Sequence, residues 1–228
     1  MERFTYTVSH DLKSPLITIR GYLGHIENNA QKGNLEYVSA DLARIDKAAT
    51  HMGNLLDDLL ELSRIGRLDH RPEVISLTDL IQQACDMLTG TIETHQIDIH
   101  IEPNLPHIFG DKLRLLEVMQ NLIENAIKFM GEQPKPCIKI GVRTDTEHPT
   151  CYIQDNGIGI EPPYHDKIFG LFDKLNKKTE GTGIGLALVR RILQHHKQKI
   201  WVESGGKGKG STFCFTLPLP KSETQNKG

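Results

Sequence analysis

The sequence has no uninterrupted apolar run of about 18 residues, so no part of it is expected to span a membrane. No apolar stretch follows Met1, so a secretory signal is not expected either. It has four cysteines, Cys85, Cys137, Cys151 and Cys214, far apart and with no CxxC pair. That spacing argues against a structural zinc site or a disulfide framework and leads us to expect reduced thiols in a cytoplasmic compartment. Charge of one sign is also lacking: 27 basic and 29 acidic side chains leave a net charge of −2. A nucleic-acid binder is usually far more basic, so nucleic acid is not expected as a partner. No internal repeat is visible. What is present, 38% hydrophobic and 25% charged residues over 228 positions, is ordinary for a folded chain with one large or two modest domains.

Two periods divide the chain. Val8, Leu12, Leu16, Ile19, Leu23 and Ile26 recur at helical spacing, Gly33-Asn34 interrupts, and Leu35, Val38, Leu42, Ile45, Ala49, Met52, Leu55 (or Leu56), Leu59 and Leu62 resume it. Two long helices joined at Gly33 follow. A lone hairpin covers such stripes poorly, and pairing two copies into an antiparallel four-helix bundle covers both, so a homodimer is expected. The polar run 67–71 before Pro72 marks a joint. Beyond it the spacing predicts a strand over Val74–Leu77 and a helix over Leu80–Glu93 capped by Thr78 or Asp79. It further predicts a strand at Ile97, Ile99 and Ile101, and a helix over Asp111–Met130. A hairpin of Ile138–Arg143 with Cys151–Gln154, a helix after Gly185, and strands Ile200–Glu203 and Ser211–Leu217 complete the pattern. Strands and helices do not alternate strictly, which favours an α/β sandwich with a mixed sheet over a doubly wound parallel one. The expected domains are 1–68 (helical hairpin) and 72–220 (α/β sandwich), with a polar tail over 221–228.

On a helical wheel the apolar stripe of the first helix centres near 20°, and His10 falls near about 200°, on the opposite face. A histidine there is free to react with an outside group. Pro15 lies within the helical pattern and removes a donor from the Asp11 carbonyl, so a bend is expected after His10. His195-His196 looks like a metal pair, but adjacent helical residues point apart.

Three clusters carry further chemistry. Asn121, Asn125 and Lys128 share one face of a predicted helix, beside its apolar stripe. A neutral amide oxygen suits Mg²⁺, and a lysine suits phosphate oxygens. Asp155-Asn-Gly157-Ile-Gly159 follows a predicted strand; the glycines permit close backbone approach, and the carboxylate accepts from a donor such as an adenine amino group. Gly181-Thr182-Gly183-Ile-Gly185-Leu186 opens a helix, where backbone N–H groups favour phosphate. This last cluster is neither a dinucleotide-binding GxGxxG, since Leu186 stands at the final glycine, nor a Walker loop, since no GK[ST] is present. No HRD or DFG triplet points to a Ser/Thr kinase.

Together these segments resemble the transmitter core of a two-component sensor histidine kinase. HDLKSPL is similar to the phospho-acceptor box, NLIENAIKF to the N box and DNGIGI to the first glycine box. IFGLF is similar to the F box and GTGIGLAL to the second glycine box, with IWVES and STFCFTLP as closing strands. The resemblance implies a dimerisation and histidine-phosphotransfer hairpin followed by a Bergerat-type ATP-binding sandwich. It implies His10 as the phosphorylated residue, Asp11 as the acid that assists it, and Asn125 as the Mg²⁺ ligand, with Asn121 and Lys128 at the phosphates of ATP. It also implies Asp155 as the adenine reader, and Gly157, Gly159, Gly181, Thr182, Gly183, Gly185 and Leu186 around the nucleotide. Lys174 falls in a lid spanning roughly 161–180, with Lys167, Lys177 and Lys178 in or beside it. The implied partner is a response-regulator receiver domain. The implied setting is cytoplasmic, as the inner part of a longer receptor whose upstream sensor domain is not in this chain. Ser14 stands where relatives with phosphatase activity carry threonine or asparagine. His196-Lys-Gln-Lys199 stands where relatives carry a glycine, so the turn there is expected to differ locally. Two other readings use the same glycine clusters: an ATPase of the wider group with water as acceptor, and a nucleotide-binding dimeric scaffold without turnover.

Overall fold

The computed structural model describes residues 2–65, 71–144, 148–173 and 181–220, and only the backbone of residues 2–9. Most of the joint at 67–71, the tail from 221, and Lys174, Lys177 and Lys178 lie outside the described residues. The chain forms two compact units. One is Met1–Ser63 with Leu171–Gly185, and the other is Arg64–Gly170 with Leu186–Gly228.

The first unit is built on a helical hairpin. Helix α1 (Glu2–Gln31) runs through Pro15, and α2 (Leu35–Arg64) follows a short turn in which Gly33 takes φ 73°. A positive φ suits glycine, which explains where the period breaks. Near the turn, Asp41 is buried and accepts from Asn29 Nδ2 of α1 at 3.3 Å and from Arg44 at 3.4 Å. The Arg44 guanidinium in turn lies 5.1 Å over the Tyr22 ring. These contacts fix the pairing of the two helices. The apolar stripes are only partly covered. Leu55 is buried, whereas Leu16, Leu23, Leu42, Leu56 and Leu60 are exposed. Of the two adjacent candidates, Leu55 is the buried one and Leu56 the exposed one.

The second unit has its core on one face of a five-stranded sheet of order β2-β4-β5-β7-β6. The strands are β2 (Asp98–Ile101), β4 (Cys137–Arg143), β5 (Thr150–Asp155), β6 (Ile200–Glu203) and β7 (Ser211–Thr216). The β2–β4 pair is parallel and the others antiparallel, so the sheet is mixed, as the spacing predicts. Ile138, Ile140, Ile153, Phe213 and Phe215 are buried, while Lys139 and Gln154 alternate outward. Helices α3 (Leu77–Met87), α5 (Lys112–Lys128) and α6 (Gly185–His195) each bury an apolar face, and α5 packs on β5 and α3.

Three local features differ from the spacing-based expectation. The cap of α3 is Ser76, whose hydroxyl accepts from the Asp79 N–H at 3.3 Å. Thr78 and Asp79 lie inside the first turn. The helix expected over 80–93 is two helices, α3 and α4 (Thr89–Thr94), broken at Leu88. A strand not foreseen, β3 (His107–Gly110), pairs antiparallel with β1 (Glu73–Ser76) as a separate ribbon. After α6 the turn keeps the left-handed conformation without a glycine: Lys197 takes φ 59°, and the Gln198 N–H closes onto Leu193 O at 2.8 Å. His196 there has a structural task that its position alone did not reveal. Its Nδ1 contacts Ile192 O at 2.9 Å, and its Nε2 accepts the Asp111 N–H at 3.1 Å.

Candidate functional site

On α1, the His10 side chain is 71% exposed, and its Nδ1 lies 2.9 Å from Asp11 Oδ1. An ionised carboxylate only accepts, so Nδ1 is the donor of that bond, and in the neutral imidazole the lone pair is then on Nε2. Helix α1 presents this pair because its apolar stripe faces the other way. Ile17, on the same side of the wheel, is 69% exposed.

On α5, Asp111 caps the first turn, accepting from the Leu113 and Arg114 N–H groups at 3.1 and 3.2 Å. One face of the helix is buried through Leu115, Val118, Met119, Leu122 and Ala126. Asn121 and Asn125 fall at its half-buried border. Each turns its amide nitrogen back along the helix, Asn121 to Glu117 O at 2.9 Å and Asn125 to Asn121 O at 2.8 Å. The free end of Asn125 is its carbonyl oxygen. Lys128 sits at the last turn with Nζ 5.4 Å from the Phe129 ring centroid. Among the described residues no three His, Cys, Asp or Glu side chains group as a metal site. A neutral amide oxygen fits a Mg²⁺ that takes its remaining ligands from phosphate and water.

The first glycine cluster closes on the end of α5. Ile158 N–H donates to Phe129 O at 3.0 Å. A Cβ on Gly157 would lie 2.4 Å from that same carbonyl, so only glycine fits. Asp155 ends β5, is 6% exposed, and accepts on Oδ1 from the Gly157 N–H at 2.8 Å and the Ser211 N–H at 3.2 Å. Burial pushes its carboxyl up to about 6, against the pull of those two backbone donors. Gly159 takes φ 72°, and a Cβ there would meet Gly206 O at 2.1 Å. Ser204 links the surrounding loops, accepting from the Ile160 N–H at 3.0 Å and donating to Gly210 O at 2.6 Å. Gly210 and Ser211, which meet Gly157 and Asp155, and Ser204, which meets Ile160 and Gly210, carry no signal in the sequence, because these contacts form only when the sheet closes. The structure thus joins Asp155, Gly157 and Gly159 to the helix carrying Asn121, Asn125 and Lys128.

The second glycine cluster falls at the edge of the first unit. Gly181 and Gly183 take φ 107° and 78°, and Gly185 starts α6 with Leu186 half-buried behind it. Gly183 O accepts the Phe172 N–H at 2.9 Å. Thr182 donates to Asp58 of α2. Neither contact is visible in the sequence, where Thr182 and Asp58 stand 124 positions apart.

Comparison with known proteins now bears on these arrangements. The family described as His Kinase A (phospho-acceptor) domain matches residues 1–68, which contain His10 and Asp11. The family described as Histidine kinase-, DNA gyrase B-, and HSP90-like ATPase matches residues 110–221, which contain α5 and both glycine clusters. The chain is 41% identical over 220 residues to the methanogenesis regulatory histidine kinase FilI of Methanothrix harundinacea, covering 96% of this chain and 25% of that protein. It is 36% identical to cyanobacterial phytochrome B of Nostoc, covering 95% of this chain and 29% of that protein. The chain therefore spans only about a quarter of the length of these curated relatives. In fold it is similar to histidine kinase ThkA, solved in complex with the response regulator protein TrrA. The TM-score is 0.68 at 24% identity, covering 96% of this chain and 61% of that one. Among the described residues no helix is long and apolar enough to cross a membrane. With a phospho-acceptor hairpin and an ATPase-type α/β unit in that order, the chain belongs to the sensor histidine kinases and is their transmitter core.

Proposed function

We propose that this chain phosphorylates His10 from Mg-ATP and passes the phosphoryl group to an aspartate of a response-regulator receiver domain. The observation that carries the reading is the exposed His10–Asp11 pair, 2.9 Å apart on the phospho-acceptor hairpin. Nε2 of His10 attacks the γ-phosphorus, the bond to the bridging oxygen breaks, and ADP leaves with that electron pair. Positive charge on the ring is relieved as the Nδ1 proton moves toward Asp11. Residues 72–220 serve as the ATP-binding domain, with Asp155 accepting from the adenine amino group. Gly157 and Gly159 give room for the backbone there, and Gly181, Thr182, Gly183, Gly185 and Leu186 line the phosphates. Asn121 and Lys128 orient phosphate oxygens, and Lys174 adds a cation near them. Asn125 is the side chain that would hold Mg²⁺, which offsets phosphate charge when bound.

The working form is a homodimer, because exposed Leu16, Leu23, Leu42, Leu56 and Leu60 need a second hairpin. The receiver partner is supported by the likeness to a kinase solved with a response regulator. The test is incubation with γ-labelled ATP. Acid-labile, base-stable label on the chain is expected, lost in His10→Gln while ATP binding persists. Label on released phosphate alone would favour the ATPase reading, and no turnover would favour a scaffold.

A further inference from the structure

The Thr182 hydroxyl is engaged twice. Its proton goes to Asp58 Oδ2 of α2 at 2.5 Å, and its oxygen accepts the Ile184 N–H at 3.3 Å. Flanking Gly181 and Gly183 hold left-handed φ, and Gly183 O takes the Phe172 N–H. The segment Leu171–Gly185 groups with the hairpin as one compact unit, and Asp58 supplies the side-chain end of that attachment.

A hydroxyl has one proton to give. While Asp58 holds it, Thr182 has none for a phosphate oxygen. The carboxylate also stands within hydrogen-bond reach of the segment assigned above to the phosphates, and like charges at such range repel. Asp57 is the next residue on α2 and adds to the negative field. Half-buried Asp58 is itself poorly solvated: burial raises its carboxyl, the Thr182 bond counteracts this, and Asp57 raises it further. The carboxylate and the hydroxyl therefore satisfy each other, and a phosphate must break that pairing to enter.

We propose that Asp58 is a positioning residue that competes with nucleotide phosphate for the Thr182 hydroxyl, so that ATP engages Gly181–Gly185 only by drawing that segment away from α2. The proposal rests on the reading of this glycine cluster as a phosphate element. It differs from a merely structural role in sign: removing a structural contact weakens ligand binding, whereas removing a competitor strengthens it.

The experiment is calorimetric titration of the full 228-residue chain with Mg-ATP, alongside the KM for ATP and kcat of autophosphorylation. Asp58→Ala is expected to tighten ATP by roughly tenfold and lower KM, the size of one charged hydrogen bond. Asp58→Asn, which keeps an acceptor oxygen but no charge, is expected to tighten it less. In a Thr182→Val background, Asp58→Ala is expected to tighten ATP less than it does in the unmodified chain, because only the charge repulsion is left to relieve. Unchanged or weaker ATP binding by Asp58→Ala, or full additivity with Thr182→Val, would overturn the competition. Absence of ATP binding by the unmodified chain would instead overturn the nucleotide reading on which the competition rests.

Discussion

The hairpin and the α/β unit hide their apolar residues to very different degrees. In the α/β unit, Leu122, Ile123, Ile138, Ile140, Ile153 and Val189 are fully buried within one chain. In the hairpin, Leu55 is covered while Leu16, Leu23, Leu42, Leu56 and Leu60 face out. One region completes its core alone, and the other presents a half-made core that the proposed second copy would complete. The division suits the proposed chemistry: a nucleotide pocket gains from a closed, rigid frame, whereas a phospho-acceptor must meet outside groups in turn.

The sharpest way to break this contrast is to charge the exposed leucines. Leu56→Glu with Leu60→Glu is expected to raise the dimer dissociation constant roughly thousandfold or more, since burying a carboxylate costs several kcal/mol. Leu55 is already buried, so charging it would not test the exposed face. Light scattering at micromolar concentration checks this: a monomer that still binds ATP is expected, and a persisting dimer contradicts it.

The α/β unit carries its own strain at Asp155. Its carboxyl is raised from 3.8 to about 6. A raised acid favours the folded state fully below 3.8 and loses that contribution as pH rises through 6. Stability from this group should therefore fall by up to about 3 kcal/mol between pH 4 and 7. Subtracting the profile of Asp155→Asn in denaturant melts isolates it, and parallel profiles would show that Asp155 is not the source. The same substitution is expected to weaken ATP about tenfold and GTP little, because guanine offers a carbonyl where adenine offers its amino group. Equal losses in a titration would mean that Asp155 does not read the base.

The smallest effect concerns the turn after α6. Lys197→Gly relieves a left-handed lysine and is expected to stabilise the α/β unit by about 1 kcal/mol without touching ATP affinity. Unchanged chemical denaturation would mean that the turn pays nothing for its lysine.

Much of this architecture was legible in periodicity. The hairpin break at Gly33, strand β2 from Ile99 and Ile101, helix α5, and the β4–β5 pair follow from spacing alone, because each buries one face along its own length. What escaped depended on distant partners. His107–Gly110 is too short to show alternation and becomes a strand only through β1. Ser76 is a favoured cap residue, but it also ends strand β1, and the strand pattern hides it. The site divides likewise. His10, Asn125, Asp155 and the glycines stand out as residue types at telling spacings. The Asp155–Ser211 bond and the Asp58–Thr182 bond join positions 56 and 124 residues apart and have no local pattern.

One such long-range bond has a further consequence. The His196 ring ties the last turn of α6 to the amide that precedes α5, with a distinct task for each ring nitrogen. The Asp111 proton is thus shielded from solvent exchange not by its own helix but by a side chain contributed 85 residues later. Its deuterium uptake clocks the parting of two helices rather than the fraying of one. A single amide at the cap of α5 then reports how often the helix that follows the second glycine cluster lets go.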